Sequence, residues 1–370
     1  MGDDLDKRYM RLALRLALKG AGRTSPNPMV GAVLVRDGKI IATGYHQRAG
    51  SDHGEIAALK RAGKRARGAT LYLNLEPCNH QGRTPPCTLS LIQSRVKRVV
   101  VGMVDPNPLV SGKGIRRLRR AGIQVRVGLL EDECRRLNEA FSKYITRRIP
   151  FVILKLAVSL DGRIATSTGD SRWVTGSVSR RYVHQLRNRV DAVLVGAGTV
   201  LADDPKLTCR LPGGRDPWRV VLDGRLRIPL KARLLRQRGP EKSIVVTGPR
   251  APIKKVEAIR RYGARVWNLP LREGRIPFAA PLKRLGKMGL LSVMIEGGAT
   301  TASWALKEDI VDKILFFYAP KLIGGEGRGM IGGLGIRKMS QVRSIKNIEI
   351  KRFGADFLVS GYLKRWELPF

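Results

Sequence analysis

Along the chain, stretches with helical apolar spacing alternate with short runs rich in valine. Residues 4–18, with Leu5, Met10, Leu12, Leu14 and Leu16, predict a first helix, and the apolar run 29–35 predicts a buried strand. Residues 55–62 then read as helix, 69–75 as strand and 87–94 as helix. A strand over 98–103, a basic helix over 114–121, a strand over 124–127 and one closing helix over 131–147 follow. Strands alternating with helices predict a layered α/β sheet.

The pattern restarts at Arg147-Arg148-Ile149-Pro150. Pro150 should end the preceding helix, because the residue before a proline is pushed out of helical space. A second α/β series begins at 151, with strands expected over 151–157, 191–195, 218–223, 243–247, 291–296 and 314–318 and helices between them. Residues 211–216 and 271–277 read as loops, and no repeat of fixed period and no low-complexity segment interrupts the series. At roughly 150 residues per domain, 370 residues make two domains, expected at 1–148 and 149–370.

Composition narrows the class. Hydrophobic residues at 43% and charged residues at 27% suit a globular chain and argue against a disordered one. No apolar run approaches the ~18 residues a membrane span needs; the run from Phe151 already ends at Lys155. The first ten residues are acidic and lack an apolar core, so no secretion signal is read there. Asp6 stands where a myristoylation signal has Ser or Thr. Four cysteines cannot staple 370 residues as a disulfide framework. A soluble cytoplasmic protein without a membrane partner is expected.

The net charge of +40 points first toward nucleic acid, since phosphate neutralisation rewards basic surfaces. The excess, however, is +17 over residues 1–150 and +23 over 151–370, nearly in proportion to length. Clusters such as Lys64, Arg65 and Arg67, or Arg116, Arg117, Arg119 and Arg120, or the stretch 231–238, lack interleaved aromatics for base stacking. The charge therefore reads as a general surface bias, and no nucleic-acid partner is expected.

Candidate chemistry lies in two places. His53-Gly54-Glu55 is followed by Glu76-Pro77-Cys78-Asn79-His80 and, after a Gly-Arg-Thr-Pro-Pro run, by Cys87. A catalytic zinc takes three protein ligands and leaves a fourth position to water, whose pKa it lowers to about 7. His53, Cys78 and Cys87 supply one imidazole and two thiolates. Glu55 is expected to shuttle a proton from that water to a leaving nitrogen without being a ligand. H-x-E followed by P-C and a second Cys is the zinc-deaminase pattern. Cys134 and Cys209 read as buried small hydrophobes, and His46, His80 and His184 as hydrogen-bonding or loop residues.

Nucleic-acid and cytidine deaminases carry C-x-x-C, whereas eight residues separate Cys78 from Cys87. That long insert resembles the deaminase domain of the bifunctional riboflavin-biosynthesis deaminase–reductase family. Pro26-Asn27-Pro28 with Val30-Gly31, Gly44-Tyr45-His46-Gln47-Arg48-Ala49-Gly50 and Asp105-Pro106-Asn107-Pro108 resemble it too. Two departures are Gly54, where the family usually has alanine, and Asn79, where serine is usual; neither is a ligand.

In the second half, three motifs fall where expected strands run out into loops, which is where open α/β sheets bind ligands. They are Lys155-Leu156-Ala157-Val158-Ser159-Leu160-Asp161-Gly162-Arg163, Gly196-Ala197-Gly198-Thr199 with Asp203-Asp204-Pro205, and Ile295-Glu296-Gly297-Gly298-Ala299-Thr300. The glycines after Glu296 permit close backbone approach, and a helix from Ala299 offers N–H groups to phosphate. Residues 324–329, Gly-rich but without a surrounding βαβ unit, read as a loop.

In this order the three motifs resemble the reductase half of the same family, so the resemblance covers about 1–365, more weakly over 210–290. It implies an α/β protein in which a cytidine-deaminase-like three-layer α/β/α domain precedes a dihydrofolate-reductase-like α/β domain that binds NADPH. It places Ala157, Trp173, Thr199, Asp203, Gly298, Ala299, Thr300, Thr301, Ala302, Ser303 and Trp304 on cofactor-contacting positions. Ser171, Arg187, Leu207, Arg210 and Glu296 fall on positions contacting a sugar-phosphate substrate. Arg187 and Arg210 suit phosphate, which guanidinium pairs bidentately.

The implied activity is deamination of 2,5-diamino-6-ribosylamino-4(3H)-pyrimidinone 5′-phosphate, followed by NADPH-dependent reduction of the ribosyl side chain to ribityl. The partner is then a small phosphorylated pyrimidine, the cofactors are one zinc and NADPH, and a homo-oligomer is expected. A nucleic-acid or tRNA deaminase with a basic accessory domain is favoured only by the charge. A regulatory nucleotide-binding module with a vestigial site is disfavoured by the intact His53, Glu55, Cys78 and Cys87 set.

Overall fold

The computed structural model describes residues 2–79, 86–237 and 239–363. It divides into two compact units, Met1–Arg148 and Ile149–Glu367. In the first, α1 (Gly2–Leu18) leads into β1 (Gly31–Arg36), β2 (Lys39–Tyr45), α2 (Gly54–Ala62), β3 (Thr70–Leu75) and α3 (Cys87–Gln93). Then come β4 (Arg98–Met103), α4 (Lys113–Arg120), β5 (Gln124–Val127), α5 (Glu131–Leu137) and α6 (Glu139–Arg147). The sheet runs β2-β1-β3-β4-β5, with β3, β4 and β5 parallel and β1 antiparallel to both its neighbours.

The period-2 alternation of β3 shows why this sheet is a middle layer. Leu71 and Leu73 point to one face, into a cluster with Ala58 and Leu59 of α2, Leu91 of α3 and Leu118 of α4. Tyr72 points to the other, where its hydroxyl donates to Asp6 of α1 at 2.5 Å. Helices cover both faces, so the unit is a three-layer α/β/α sandwich.

Two details depart from the periodicity. The spacing predicts no strand at β2, yet Asp37 (φ 50°) and Gly38 (φ 69°) form a two-residue turn in left-handed space. Asp-Gly at such a turn is a hairpin signal. The single helix expected over 131–147 is two helices, broken at Asn138 (φ −106°, ψ 22°). Asn138 is buried because it holds the chain leading into β1: Oδ1 accepts the Met29 N–H at 2.8 Å and Nδ2 donates to the Met29 carbonyl at 3.0 Å. Asn74 grips the same stretch, accepting from Gly31 N–H at 2.8 Å and donating to the Met29 carbonyl at 2.9 Å.

The second unit opens with β6 (Phe151–Ser159), β7 (Arg163–Ala165), α7 (Ser177–Arg189), β8 (Ala192–Gly196), α8 (Ala197–Asp203) and β9 (Trp218–Leu222). It continues through α9 (Arg233–Arg236), β10 (Ser243–Thr247), α10 (Ile253–Arg261), β11 (Arg265–Asn268), α11 (Ala279–Lys287) and β12 (Ser292–Ile295). It ends with α12 (Ala299–Lys307), β13 (Lys313–Ala319), β14 (Arg328–Gly329), β15 (Lys346–Phe353) and β16 (Asp356–Tyr362). Nine strands form one sheet in the order β11-β10-β9-β8-β12-β6-β13-β16-β15. All pairs from β11 to β13 are parallel, and β16 and β15 close the edge antiparallel.

Val152, Leu154, Leu156 and Val158 of β6 pack with Leu282 and Leu285 of α11 and Ala302 and Ala305 of α12. Strands of a sheet covered on both faces are continuous apolar runs, and this is why β6, β8, β10 and β12 are legible. The periodicity misses β15, whose side chains are exposed along nearly its whole length, and β16. It also misses β11 and the pair β7–β14, so the loop expected over 324–329 pairs as strand at Arg328 and Gly329.

Asn138→Ala should strand the Met29 N–H while its carbonyl keeps Asn74. The first unit should lose about 1–3 kcal/mol, read as a lower urea midpoint with unchanged slope; an unmoved midpoint would show that the break at Asn138 is incidental.

Candidate metal centre and ligand cleft

His53 caps α2 from extended backbone (φ −66°, ψ 160°), so its ring and the side chain of Glu55 leave the same turn. That turn is packed against its neighbours. A Cβ on Gly54 would lie 2.7 Å from the Val30 carbonyl oxygen, and one on Gly44 2.3 Å from the Gly54 carbonyl oxygen. Glycine at 54 therefore matches the close seating of α2.

Cys78 hangs from the loop after β3, and Glu76 fixes that loop. Its buried carboxylate accepts four backbone N–H groups: Asp105 (3.1 Å) and Gly112 (2.9 Å) at Oε2, Gly114 (2.9 Å) and Ile115 (3.2 Å) at Oε1. The last two belong to the first turn of α4, whose unpaired N–H groups favour an anion. Cys87 opens α3 directly behind Pro86.

These elements bring the three predicted ligands together. His53 Nδ1 lies 3.2 Å from Cys87 Sγ and 3.7 Å from Cys78 Sγ, and the three donor atoms fall within 4.8 Å of one another. One imidazole and two thiols at these separations fit a tetrahedral zinc with one position left over. Glu55 is 2% exposed, and its Oε2 meets no hydrogen-bond partner among the described residues. A buried acceptor left open in this way is available to a ligand rather than committed to the fold.

The electrostatics agree. Burial pushes the Glu55 carboxyl above its ordinary range. A hydrogen bond with Cys78 raises the His53 ring to about 9 against its burial. A hydrogen bond with Cys87 lowers the Cys78 thiol to about 4, also against burial, and drives Cys87 itself upward. Without metal the cluster is one thiolate facing an imidazolium; zinc would take the imidazole neutral and both cysteines as thiolates, so its binding would release protons.

His46 stands beside this cluster, its ring 5.3 Å from that of His53. Its nitrogens are engaged by Asn27 Nδ2 (3.1 Å) and the Asp52 carbonyl (2.9 Å), so it is the hydrogen-bonding residue expected. His80, with the rest of 80–85, lies outside the described residues. Cys134 is buried as expected; Cys209 is only half-buried, with its thiol on the His184 carbonyl at 3.4 Å.

In the second unit a cleft of about 770 Å³ opens over the C-terminal ends of β6, β8, β9 and β12. Ala157, Thr199, Asp203, Gly298, Ala299, Thr300, Thr301 and Trp304 of the expected cofactor set line it. So do Ser171, Arg187, Leu207 and Glu296 of the expected substrate set. Four residues do not. Ala302 belongs to the core, and the Ser303 hydroxyl donates to the Ala299 carbonyl and accepts the Gly332 N–H, both at 2.6 Å. Trp173 and Arg210 line a second hollow of about 460 Å³ with Arg180, Arg181 and His184, where Arg180 lies 4.5 Å over the Trp173 ring.

Lys155, Arg187 and Glu296 form one ionic cluster in the cleft wall. Glu296 accepts from Arg187 Nε (2.6 Å) and Nη2 (2.9 Å), and Lys155 Nζ lies at 3.5 Å. Burial would raise the Glu296 carboxyl, but Arg187 and then Lys155 outweigh it and hold it at about 2. Burial in turn lowers the Lys155 amine. Arg187 Nη1 donates to the Thr208 carbonyl at 3.1 Å. The guanidinium expected to clamp phosphate is thus already committed, chiefly to Glu296.

Lys155 is the residue whose role the sequence reading missed. Its signal was a single charge within the apolar run of β6, which must find a buried partner. Arg225, Arg227, Arg275 and Arg328 also line the cleft, with Arg275 4.9 Å over the Trp304 ring. Among 70 Lys and Arg residues nothing in the sequence singles these out.

Comparison with known proteins agrees with both halves. Residues 150–359 match the family described as RibD C-terminal domain, and residues 3–103 match the cytidine and deoxycytidylate deaminase zinc-binding region. The chain is 46% identical over 365 residues to the riboflavin biosynthesis protein RibD of Aquifex aeolicus (strain VF5), covering 98% of this chain and 99% of that one. Against the protein of the same name from Escherichia coli (strain K12) it is 40% identical over 366 residues, covering 95% and 97%. Among solved structures, Acinetobacter baumannii RibD (form 1) superposes with a TM-score of 0.86 at 38% identity, covering 97% and 99%. The Thermotoga maritima diaminohydroxyphosphoribosylaminopyrimidine deaminase/5-amino-6-(5-phosphoribosylamino)uracil reductase gives 0.86 at 39%, covering 98% and 99%.

The ion cluster sets a pH dependence. Glu296 titrates at about 2 in the folded chain against an ordinary 4.5, so its contribution to stability is complete above pH 4.5 and is lost as the pH falls toward 2. The second unit's unfolding midpoint should therefore drop more steeply below pH 4.5 in the parent than in Glu296→Gln. Equal slopes would show that the cluster is not ionised as described.

Proposed function

The chain belongs to the RibD family and is a bifunctional deaminase and reductase of riboflavin biosynthesis, and from this premise we propose how its residues divide the two reactions. The first unit, 1–148, holds zinc through His53, Cys78 and Cys87 and deaminates the pyrimidine. The second, 149–370, binds NADPH and reduces the sugar side chain. The observation that carries the reading is the His53–Cys78–Cys87 cluster beside the open carboxylate of Glu55. The substrate is 2,5-diamino-6-ribosylamino-4(3H)-pyrimidinone 5′-phosphate, and its deaminated product is what the second unit reduces to the ribityl compound.

Bound zinc supplies Lewis acidity that lowers the pKa of a water to about 7. Glu55 handles the protons. Its sealed Oε2 accepts one from the attacking water and returns it to the exocyclic nitrogen, so that the C–N bond breaks with ammonia as the leaving group. Acid–base work of this kind is typically worth about 10²–10⁴-fold. Glu76 holds Cys78 in register by fastening the loop that carries it to α4.

In the second site NADPH supplies the hydride, and the chain's work is placement. Gly298, extended at φ −72° and ψ 173°, caps α12 and leaves the first-turn N–H groups of that helix for a pyrophosphate. Thr199 Oγ1 holds the Gly298 N–H at 3.3 Å. Glu296, kept ionised by Arg187 and Lys155, accepts donors of the pyrimidine ring, and Arg187 acts through Glu296.

No helix among the described residues is long and apolar enough to cross a membrane, and a cytoplasmic enzyme acting on a small molecule is our reading. A homo-oligomer is supported by β15, an open edge strand that exposes Ile348 and Ile350.

Glu55→Gln should keep its zinc and lose ammonia release by at least about 10²-fold, while still reducing substrate supplied already deaminated. Retained ammonia release would overturn the proton role. Cys87→Ser should lose zinc by metal analysis, because a hydroxyl replaces a thiolate poorly. As fragments, 1–148 should deaminate without NADPH and 149–370 should reduce without zinc. A folded 149–370 that binds no dinucleotide would refute the division.

A further inference from the structure

In the C-x-x-C arrangement of other zinc deaminases, two residues of chain keep the thiols together. Eight residues separate Cys78 from Cys87, and closing a longer loop costs entropy. Among the described residues, four hydrogen bonds hold the neck of this insert. Thr88 N–H donates to the Cys78 carbonyl at 3.2 Å, and Cys87 N–H to Cys78 Sγ at 3.4 Å. The Thr88 hydroxyl donates to Asn79 Oδ1 at 2.9 Å, and Arg117 Nη1, from α4, donates to the same oxygen at 2.9 Å.

Each outer partner is the immediate neighbour of a ligand: Asn79 follows Cys78, and Thr88 follows Cys87. Thr88 is fully buried, so its hydroxyl has no water to fall back on. An amide oxygen has two lone pairs and can accept both donors at once. Asn79 thus ties the loop after β3 to α3 and α4.

We propose that Asn79 is a positioning residue for the metal centre: with Thr88 and Arg117 it clamps the neck of the insert, fixes the separation of Cys78 and Cys87, and thereby sets the affinity for zinc. The inference rests on the reading of His53, Cys78 and Cys87 as zinc ligands. Asn79 acts through the two cysteines, so the acceptor oxygen matters and the side-chain volume does not.

The test uses the full chain, with zinc affinity measured by chelator competition and the absorption of the cobalt(II)-substituted protein as a reporter of thiolate geometry. Asn79→Leu keeps the volume and removes the acceptor. Its affinity should fall about 10–100-fold, as for other outer-shell losses, and its cobalt spectrum should shift. Asn79→Asp keeps the acceptor and should bind zinc at least as tightly as the parent. Thr88→Val should lose part of the affinity, and the double variant Asn79→Leu/Thr88→Val should be no weaker than Asn79→Leu alone, because the bond that Thr88→Val removes is already lost in Asn79→Leu. Reduction of the deaminated substrate should continue at the parent rate in every variant.

Parent affinity and spectrum in Asn79→Leu, or losses that add in the double variant, would overturn the clamp. If Asn79→Leu does not fold, Thr88→Val and Asn79→Asp decide: a loss in the first with retention in the second supports the clamp, and equal affinity refutes it. A parent protein that takes up no zinc would refute the ligand assignment itself, and the clamp with it.

Discussion

Parallel strands with helices on both faces have no exposed surface on which to carry chemistry. Their side chains go into one packed layer or the other, and only the strand ends are open. Both halves of this molecule obey that constraint. Cys78 sits just past β3, and Glu296 just past β12. Gly297 and Gly298 lead from the end of β12 into α12, and Thr199 follows the end of β8. The helices that seal the sheets then contribute from their first residues: His53 and Glu55 from α2, Cys87 from α3, Ala299 onward from α12. Strand end and helix start meet at both sites because the layered architecture leaves no other place.

Three glutamates largely shielded from solvent show how the same side chain acquires different work from its partners. Glu76 is satisfied by backbone N–H groups from two segments and serves as a fastening. Glu296 is satisfied by Arg187 and Lys155, which keep it charged inside the cleft wall. Glu55 has one oxygen without a hydrogen-bond partner among the described residues, and it lies beside the three metal-ligating side chains. Burial alone does not distinguish a structural carboxylate from a reactive one; the groups that surround it do.

The parts legible in sequence were those with a distinctive local signature. His53, Glu55, Cys78 and Cys87 stood out because rare residue types recurred at offsets with chemical meaning, and β6, β8, β10 and β12 because double-sided burial makes strands uniformly apolar. What stayed hidden depends on partners distant in the chain. Asn138 breaks a helix in order to hold Met29, and nothing within 131–147 announces that. β15 exposes nearly all its side chains within the chain, so burial leaves no apolar run there to read. β2 was available through Asp37-Gly38, a turn signal that periodicity does not weigh. Arg187 pairs with a carboxylate 109 residues away, so its commitment to Glu296 rather than to phosphate could only emerge from the fold. The arginines lining the cleft are lost among many like them.

The pairing of Arg275 with Trp304 in the cleft has an optical consequence. All five tryptophans of the chain lie beyond residue 150, so the first unit contributes no indole emission of its own. Tryptophan emission, excited apart from the tyrosines, is therefore a selective view of the second unit. Trp304, with a cation over its ring and a cleft at its edge, is a built-in chromophore whose brightness and wavelength register what enters there. Events confined to the metal centre leave no indole of their own unit to excite, so absorbance of the thiolates and emission of the indoles divide the molecule into two independently readable channels.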